Sequence, residues 1–90
     1  MGKKEKLKDK LDQLPKNFTW DEFVSLLNHY GFVMLNARGG GSGRKFFNKK
    51  HNRILQFHEP HPENTMKKYI LKETKVVLEE IDANEKSNEI

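Results

Sequence analysis

The 90-residue chain contains no cysteine. A disulfide framework, a zinc site built from thiolates and a cysteine nucleophile are therefore excluded, and the composition fits a reducing compartment, so we expect the protein to be cytoplasmic. The longest apolar run, Phe32–Leu35, is far too short to cross a bilayer. The lysine-rich N-terminus is not followed by the apolar segment that a signal peptide needs. We therefore expect no membrane partner and no signal sequence.

Acidic residues are absent from residues 23–58, although the whole chain carries 13 of them. The same stretch contains six basic residues, and the sequence beyond Lys75 is rich in acidic ones. A stretch of one charge sign in a chain of net charge +4 is typical of a surface that binds a polyanion, and we expect that polyanion to be RNA. A solvated surface that only aids solubility would show the same pattern. The basic residues are Arg38, Arg44, Lys45, Lys49, Lys50 and Arg53.

The chain is long enough for one domain with a small core. Leu7, Leu11 and Leu14 follow one another at helical spacing, which predicts an amphipathic helix over residues 3–14, ended by Pro15. This helix either docks on the domain or binds a partner. A second helix is predicted from the capping box of residues 19–22 to a left-handed cap at Gly31.

Three strands follow, over residues 32–35, 42–48 and 53–58, with a glycine-rich loop at 36–41 and a turn at 49–52. Alternation places Leu55 and Phe57 on one face of the last strand. A final helix is predicted from about residue 67 to residue 81. We predict an α+β fold in which helices cover one face of a three-stranded antiparallel sheet. It divides into an N-terminal helix (1–16), an α-β-β-β-α domain (17–82) and a flexible acidic tail (83–90).

Residues 39–47, GGGSGRKFF, are the most informative segment for function. Glycines allow a close approach of the backbone to a ligand, and the Arg44 guanidinium suits a phosphate. Phe46 would stack on an unpaired base if it lies on the open face of the sheet; the alternative is a phenylalanine folded under a helix. The segment lacks the lysine and the following helix of a phosphate-binding P-loop. The predicted RNA-binding residues are Arg38, Gly41, Ser42, Gly43, Arg44, Lys45, Phe46, Lys49, Lys50 and Arg53.

His58 and His61 are the candidate acid–base residues, because an imidazole titrates near neutral pH and can move a proton at a ribose hydroxyl or a leaving oxygen. A histidine at a strand end also commonly just hydrogen-bonds the next turn. The two histidines lack an evident third ligand, so we predict no metal site and no cofactor.

Three features of the sequence resemble the HicA family of toxin–antitoxin systems: Gly31-Phe32, the run from Ser42 to Phe47, and His61-Pro62 followed by Met66-Lys67. The resemblance covers roughly residues 18–81. It implies a fold like that of double-stranded-RNA-binding domains, an mRNA-cleaving toxin and a HicB-type antitoxin protein as partner.

The usual family motif is Gly-Ser-His with an aromatic residue shortly after it, and that histidine is catalytic. Here the matching position holds Arg44 if Phe47 is aligned with the aromatic residue, or Gly43 if Phe46 is. The chain most resembles those family members that carry arginine there.

Three hypotheses follow. The first is a metal-independent endoribonuclease in which Arg44 stabilises the transition state and His61 or His58 moves the proton. The second is an RNA- or antitoxin-binding module without nuclease activity. The third is a protein-interaction domain. The missing histidine favours the second over the first, and the stretch without carboxylates makes the third the weakest.

Overall fold

The computed structural model describes residues 2–35, 43–60 and 63–87. In these ranges it contains three helices, α1 (Lys3–Asp12), α2 (Trp20–His29) and α3 (Lys68–Ser87). Three strands, β1 (Phe32–Leu35), β2 (Gly43–Asn48) and β3 (Arg53–His58), form an antiparallel sheet with β2 in the centre. The predicted α+β class and the three-stranded sheet are confirmed. None of the described helices has the length and apolar character needed to cross a membrane.

Local sequence signals explain both ends of α2. The Thr19 hydroxyl accepts a hydrogen bond from the Glu22 amide at 3.2 Å, and the Thr19 amide donates to the Glu22 carboxylate at 3.0 Å. The predicted capping box is therefore present. Gly31 follows the helix with φ of 94°, a left-handed conformation that a side chain would strain.

The helices cover one face of the sheet. Side chains alternate along each strand, so Phe46, Leu55 and Phe57 are buried beneath the helices. Leu55 and Phe57 share one face of β3, as predicted. Val33 and Ile54 lie on the opposite, open face and are 63% and 61% exposed. The centre of the core is a group of aromatic rings whose centroids are 5.5–6.1 Å apart: Trp20, Phe23, Phe46 and Phe57.

A buried asparagine joins the sheet to the end of α2. Asn48, the last residue of β2, is fully buried. Its Nδ2 donates to the Tyr30 carbonyl at 2.9 Å, and its Oδ1 accepts from the His51 amide at 3.1 Å. These two bonds supply partners to one helix-end carbonyl and one turn amide that would otherwise be costly to bury.

The N-terminal helix docks on the domain, which is the first of the two outcomes considered. Leu7 and Leu11 lie in the same core as the aromatic rings and are 7% and 0% exposed. The Lys10 ammonium lies 2.8 Å from the Glu22 carboxylate, which ties α1 to the start of α2.

The last helix is longer than predicted. The sequence predicts an end near Ile81, but α3 continues to Ser87, so the predicted end of the helix is wrong. The flexibility of the acidic tail stays a prediction. Contacts from distant parts of the chain support the extra turns: the Tyr30 hydroxyl donates to Asp82 at 2.9 Å, and His51 Nε2 lies 3.1 Å from the Glu85 carboxylate. The rest of the predicted tail, residues 88–90, lies outside the described residues.

Candidate functional site

A pocket of about 470 Å³ lies where β3 ends and α3 begins. Its position follows from the chain path: β3 ends at His58, and the segment before α3 is hydrogen-bonded to the start of α2. The Met66 amide donates to the Phe18 carbonyl at 2.7 Å, and the Trp20 amide donates to the Asn64 carbonyl at 2.9 Å. The pocket is lined by His58, Glu59, Pro60, Met66, Lys67, Tyr69 and Ile70.

Arg44 lies beside this pocket through its contact with Glu59. One guanidinium nitrogen, Nη2, is 3.2 Å from Oε1 of Glu59, and the other, Nη1, donates to the Gly43 carbonyl at 3.0 Å. Gly43 is paired across the sheet with His58, which is the residue next to Glu59. Arg44 and His58, two of the three predicted catalytic residues, are thus at the same end of the sheet. His61, the third, lies outside the described residues.

This end of the sheet combines groups that suit a phosphodiester. A guanidinium can donate two parallel hydrogen bonds to phosphate oxygens, and an ammonium such as that of Lys67 attracts the same charge. His58 also lines the pocket, and a histidine side chain can serve as a general acid or base. The arrangement therefore has cations and an acid–base group around one pocket.

Two of the other predicted cations, Lys50 and Arg53, are not part of this group. Lys50 and Arg53 flank the turn at the opposite end of β2 and β3, about 17 Å away along a six-residue strand. Each contacts a carboxylate of α3: Lys50 Nζ lies 3.3 Å from Glu85, and Arg53 Nη2 lies 2.7 Å from Glu80. Carboxylates of α3 thus partly neutralise the charge of the stretch that lacks acidic residues. The sequence did not indicate this, because the paired residues are far apart along the chain.

Phe46 is not available to stack on a base. It is fully buried, with its ring centroid 6.0 Å from Trp20 and 6.1 Å from Phe23, so the expectation of an open-face Phe46 is wrong. The reason is its register: Phe46 is paired with Leu55, whose side chain also faces the helices. Lys45, the neighbouring residue in β2, is exposed.

Three further predicted RNA-binding residues, Arg38, Gly41 and Ser42, lie outside the described residues. Lys49 lies in the turn after β2 and is exposed. Among the residues that the structure describes, no three His, Asp or Glu side chains are grouped so that they could hold a metal ion.

Two pocket residues, Lys67 and Tyr69, were missed as site residues. Lys67 entered the sequence analysis only as part of the family resemblance. Tyr69 is 59% exposed although it precedes Ile70, the first residue of the buried stripe of α3. An aromatic residue off the buried stripe of a predicted helix is the signal that could have drawn attention to it.

The shifted pKa values belong to structural contacts away from the pocket. Burial acts to raise the pKa of Glu22, but the hydrogen bonds from Lys10 and Thr19 outweigh it and lower the pKa. Hydrogen bonds from His51 and Lys50 lower the pKa of Glu85. Burial, and then the hydrogen bond to Asp82, raise the pKa of Tyr30.

Comparison with known proteins gave a family match. A protein-family model described as "HicA toxin of bacterial toxin-antitoxin" matches residues 20–81, which is more than half of the chain. The matched region starts at the first residue of α2 and contains the sheet, the pocket and most of α3, whereas α1 lies outside it. No curated protein and no solved structure showed significant similarity to the chain.

Proposed function

The chain belongs to the HicA toxin family, and from this premise we propose that it is the toxin of a toxin–antitoxin system and acts as a metal-independent mRNA endoribonuclease. The observation that supports the proposal is a pocket within the family-matched region that is lined by His58 and Lys67, with Arg44 paired to Glu59 of the same pocket.

The proposed reaction uses the RNA's own nucleophile. The ribose 2′-oxygen attacks the adjacent phosphorus, the bond from phosphorus to the 5′-oxygen breaks, and a cyclic phosphate and a 5′-hydroxyl result. A histidine takes the proton of the 2′-hydroxyl and a proton is returned to the leaving oxygen. His58, which lines the pocket, and His61 are the residues proposed for these proton transfers. Arg44 stabilises the negative charge that develops on the phosphoryl oxygens.

The second candidate is an RNA- or antitoxin-binding module without nuclease activity. It is favoured by one observation: arginine, or glycine, occupies the position where the family motif has its catalytic histidine. A guanidinium stays protonated in proteins, so Arg44 can bind a phosphate but cannot act as a general base.

Both candidates are tested by incubating the purified chain with a structured mRNA and measuring cleavage and binding in the same sample. For the nuclease we expect discrete fragments, and a rate about 10²–10³-fold lower in Arg44→Ala, the usual cost of removing one transition-state donor. Arg53→Ala, which removes an arginine paired with Glu80 at the other end of the sheet, is the matched control and should cleave normally. Intact RNA at every protein concentration would refute the nuclease, and retained binding would then support the second candidate.

A toxin of this family implies an antitoxin, and we propose a HicB-type antitoxin protein as the partner and the cytoplasm as the place of action. Expression of the chain in bacteria should arrest growth, and co-expression of such an antitoxin should restore it. Normal growth of bacteria that express a chain shown to cleave RNA would contradict the toxin assignment.

A further inference from the structure

The pocket has an apolar floor and a polar rim. Met66 and Ile70 are 4% and 5% exposed, so the floor is part of the hydrophobic core. Tyr69 forms an exposed aromatic wall, and Lys67 and His58 add polar groups at the same pocket. An apolar cavity with a few polar groups is the usual composition of a site for a small organic group.

The pocket is preformed because its floor is fixed from two sides. The Met66 amide is bonded to the Phe18 carbonyl at 2.7 Å, and the antiparallel bridge between Thr19 and Thr65 holds the same segment against the start of α2. Ile70 belongs to the buried stripe of α3. A ligand that enters this pocket therefore does not have to order its floor first.

We propose that this pocket binds one unpaired nucleobase of the RNA, with Tyr69 stacked against the base. The inference rests on the proposed function, which supplies the RNA. A pocket of about 470 Å³ lies within the range of roughly 300–1,000 Å³ that is typical of small-molecule sites. Stacking on an aromatic ring needs no particular base, since every base has a π-face.

The charges beside the pocket favour a nucleotide over an apolar peptide. Lys67 lines it, and Arg44 lies next to it through Glu59, so the phosphates on either side of a seated base would meet cations. A base can enter only when it is neither paired nor stacked. The substrate class is therefore single-stranded RNA, or an unpaired loop or bulge, rather than a continuous duplex.

The test compares a fluorescent eight-nucleotide single-stranded RNA with a blunt duplex of the same length, in binding to the full chain at fixed salt. Wild type should bind the single strand, and Tyr69→Ala should weaken that binding about 5- to 150-fold, the usual effect of losing one aromatic–base stack. Tyr69→Phe should keep the affinity. Val76→Ala is the matched control, because Val76 lies on the same helix, is 55% exposed and is not a pocket residue.

Each result bears on the inference. Equal binding of the single strand by wild type and Tyr69→Ala would overturn the base pocket while leaving the proposed function intact. Tighter binding of the duplex, or an equal loss in Val76→Ala, would also overturn it. If neither RNA binds to wild type, the proposed function fails and the base pocket fails with it.

Discussion

In the proposed complex with RNA, Glu59 would compete with a phosphate for Arg44. Its Oε1 lies 3.2 Å from the guanidinium, and both side chains are partly exposed, at 39% and 28%. If the phosphate of an RNA binds Arg44, it must displace this carboxylate and tolerate its negative charge. We therefore expect Glu59→Gln to bind RNA more tightly than wild type.

The size of the gain follows from the exposure of the pair. Ion pairs that are open to solvent contribute about 0.2–1 kcal/mol, so removing the competitor should raise the affinity about 1.4- to 5-fold. If Arg44 then neutralises one more phosphate, the logarithm of the affinity should fall more steeply with the logarithm of salt concentration, by about 0.7 for a single strand.

Glu80→Gln is the matched control for Glu59→Gln. It removes the partner of another arginine, Arg53, whose Nη2 is 2.7 Å from Glu80 at the opposite end of the sheet. Fluorescence anisotropy with single-stranded RNA over a series of salt concentrations measures both variants. If Glu80→Gln raises the affinity and Glu59→Gln does not, RNA binds at the turn between β2 and β3, and the placement of the site at the pocket is refuted.

Two further predictions concern the framework that holds the site. Asn48→Ala should lower the free energy of unfolding by about 2–4 kcal/mol in urea denaturation, because it leaves the Tyr30 carbonyl and the His51 amide without partners. Asn28→Ala, at an exposed position of α2, should change the free energy of unfolding by less than about 0.5 kcal/mol. Equal effects of the two substitutions would contradict the role of Asn48. Because its pKa is lowered in the folded state, Glu22 stabilises the fold at pH values above its ordinary pKa of 4.5, and this stability is lost as the pH falls through the lower folded-state pKa. The loss of stability between pH 5 and pH 3, measured by thermal unfolding, should therefore be smaller in Glu22→Gln than in wild type. An unchanged pH profile in Glu22→Gln would refute this role of Glu22.

Features that are local in sequence could be predicted, and those that depend on distant contacts could not. The capping box at Thr19, the left-handed Gly31 and the shared face of Leu55 and Phe57 in β3 each follow from neighbouring residues. The extension of α3 to Ser87 depends instead on tertiary partners, such as Tyr30 for Asp82, which no local pattern of apolar residues indicates.

The candidate site was predicted in part for the same reason. Alternation correctly pairs Arg44 with Phe46, but it does not say which face of β2 the helices cover. That choice depends on the pairing of β2 with β3, where Phe46 meets Leu55 and Arg44 meets Phe57. The ion pairs of Lys50 and Arg53 with α3, at the opposite end of these strands from the pocket, could not be predicted either. Their carboxylate partners lie more than 25 residues later in the sequence.

The side of the sheet on which Arg44 lies decides how RNA would approach. Arg44 is on the helix-covered face with Phe46, at the end of β2 where its guanidinium reaches Glu59 rather than the core. The open face has a different character, because beside the exposed Lys45 it presents to solvent the apolar groups of Val33 and Ile54, at 63% and 61% exposure. Phosphates gain nothing from such groups, whereas a protein partner does. The RNA of the proposed reaction would therefore run along the end of the sheet, past Arg44 and the pocket, and leave the open face to other contacts.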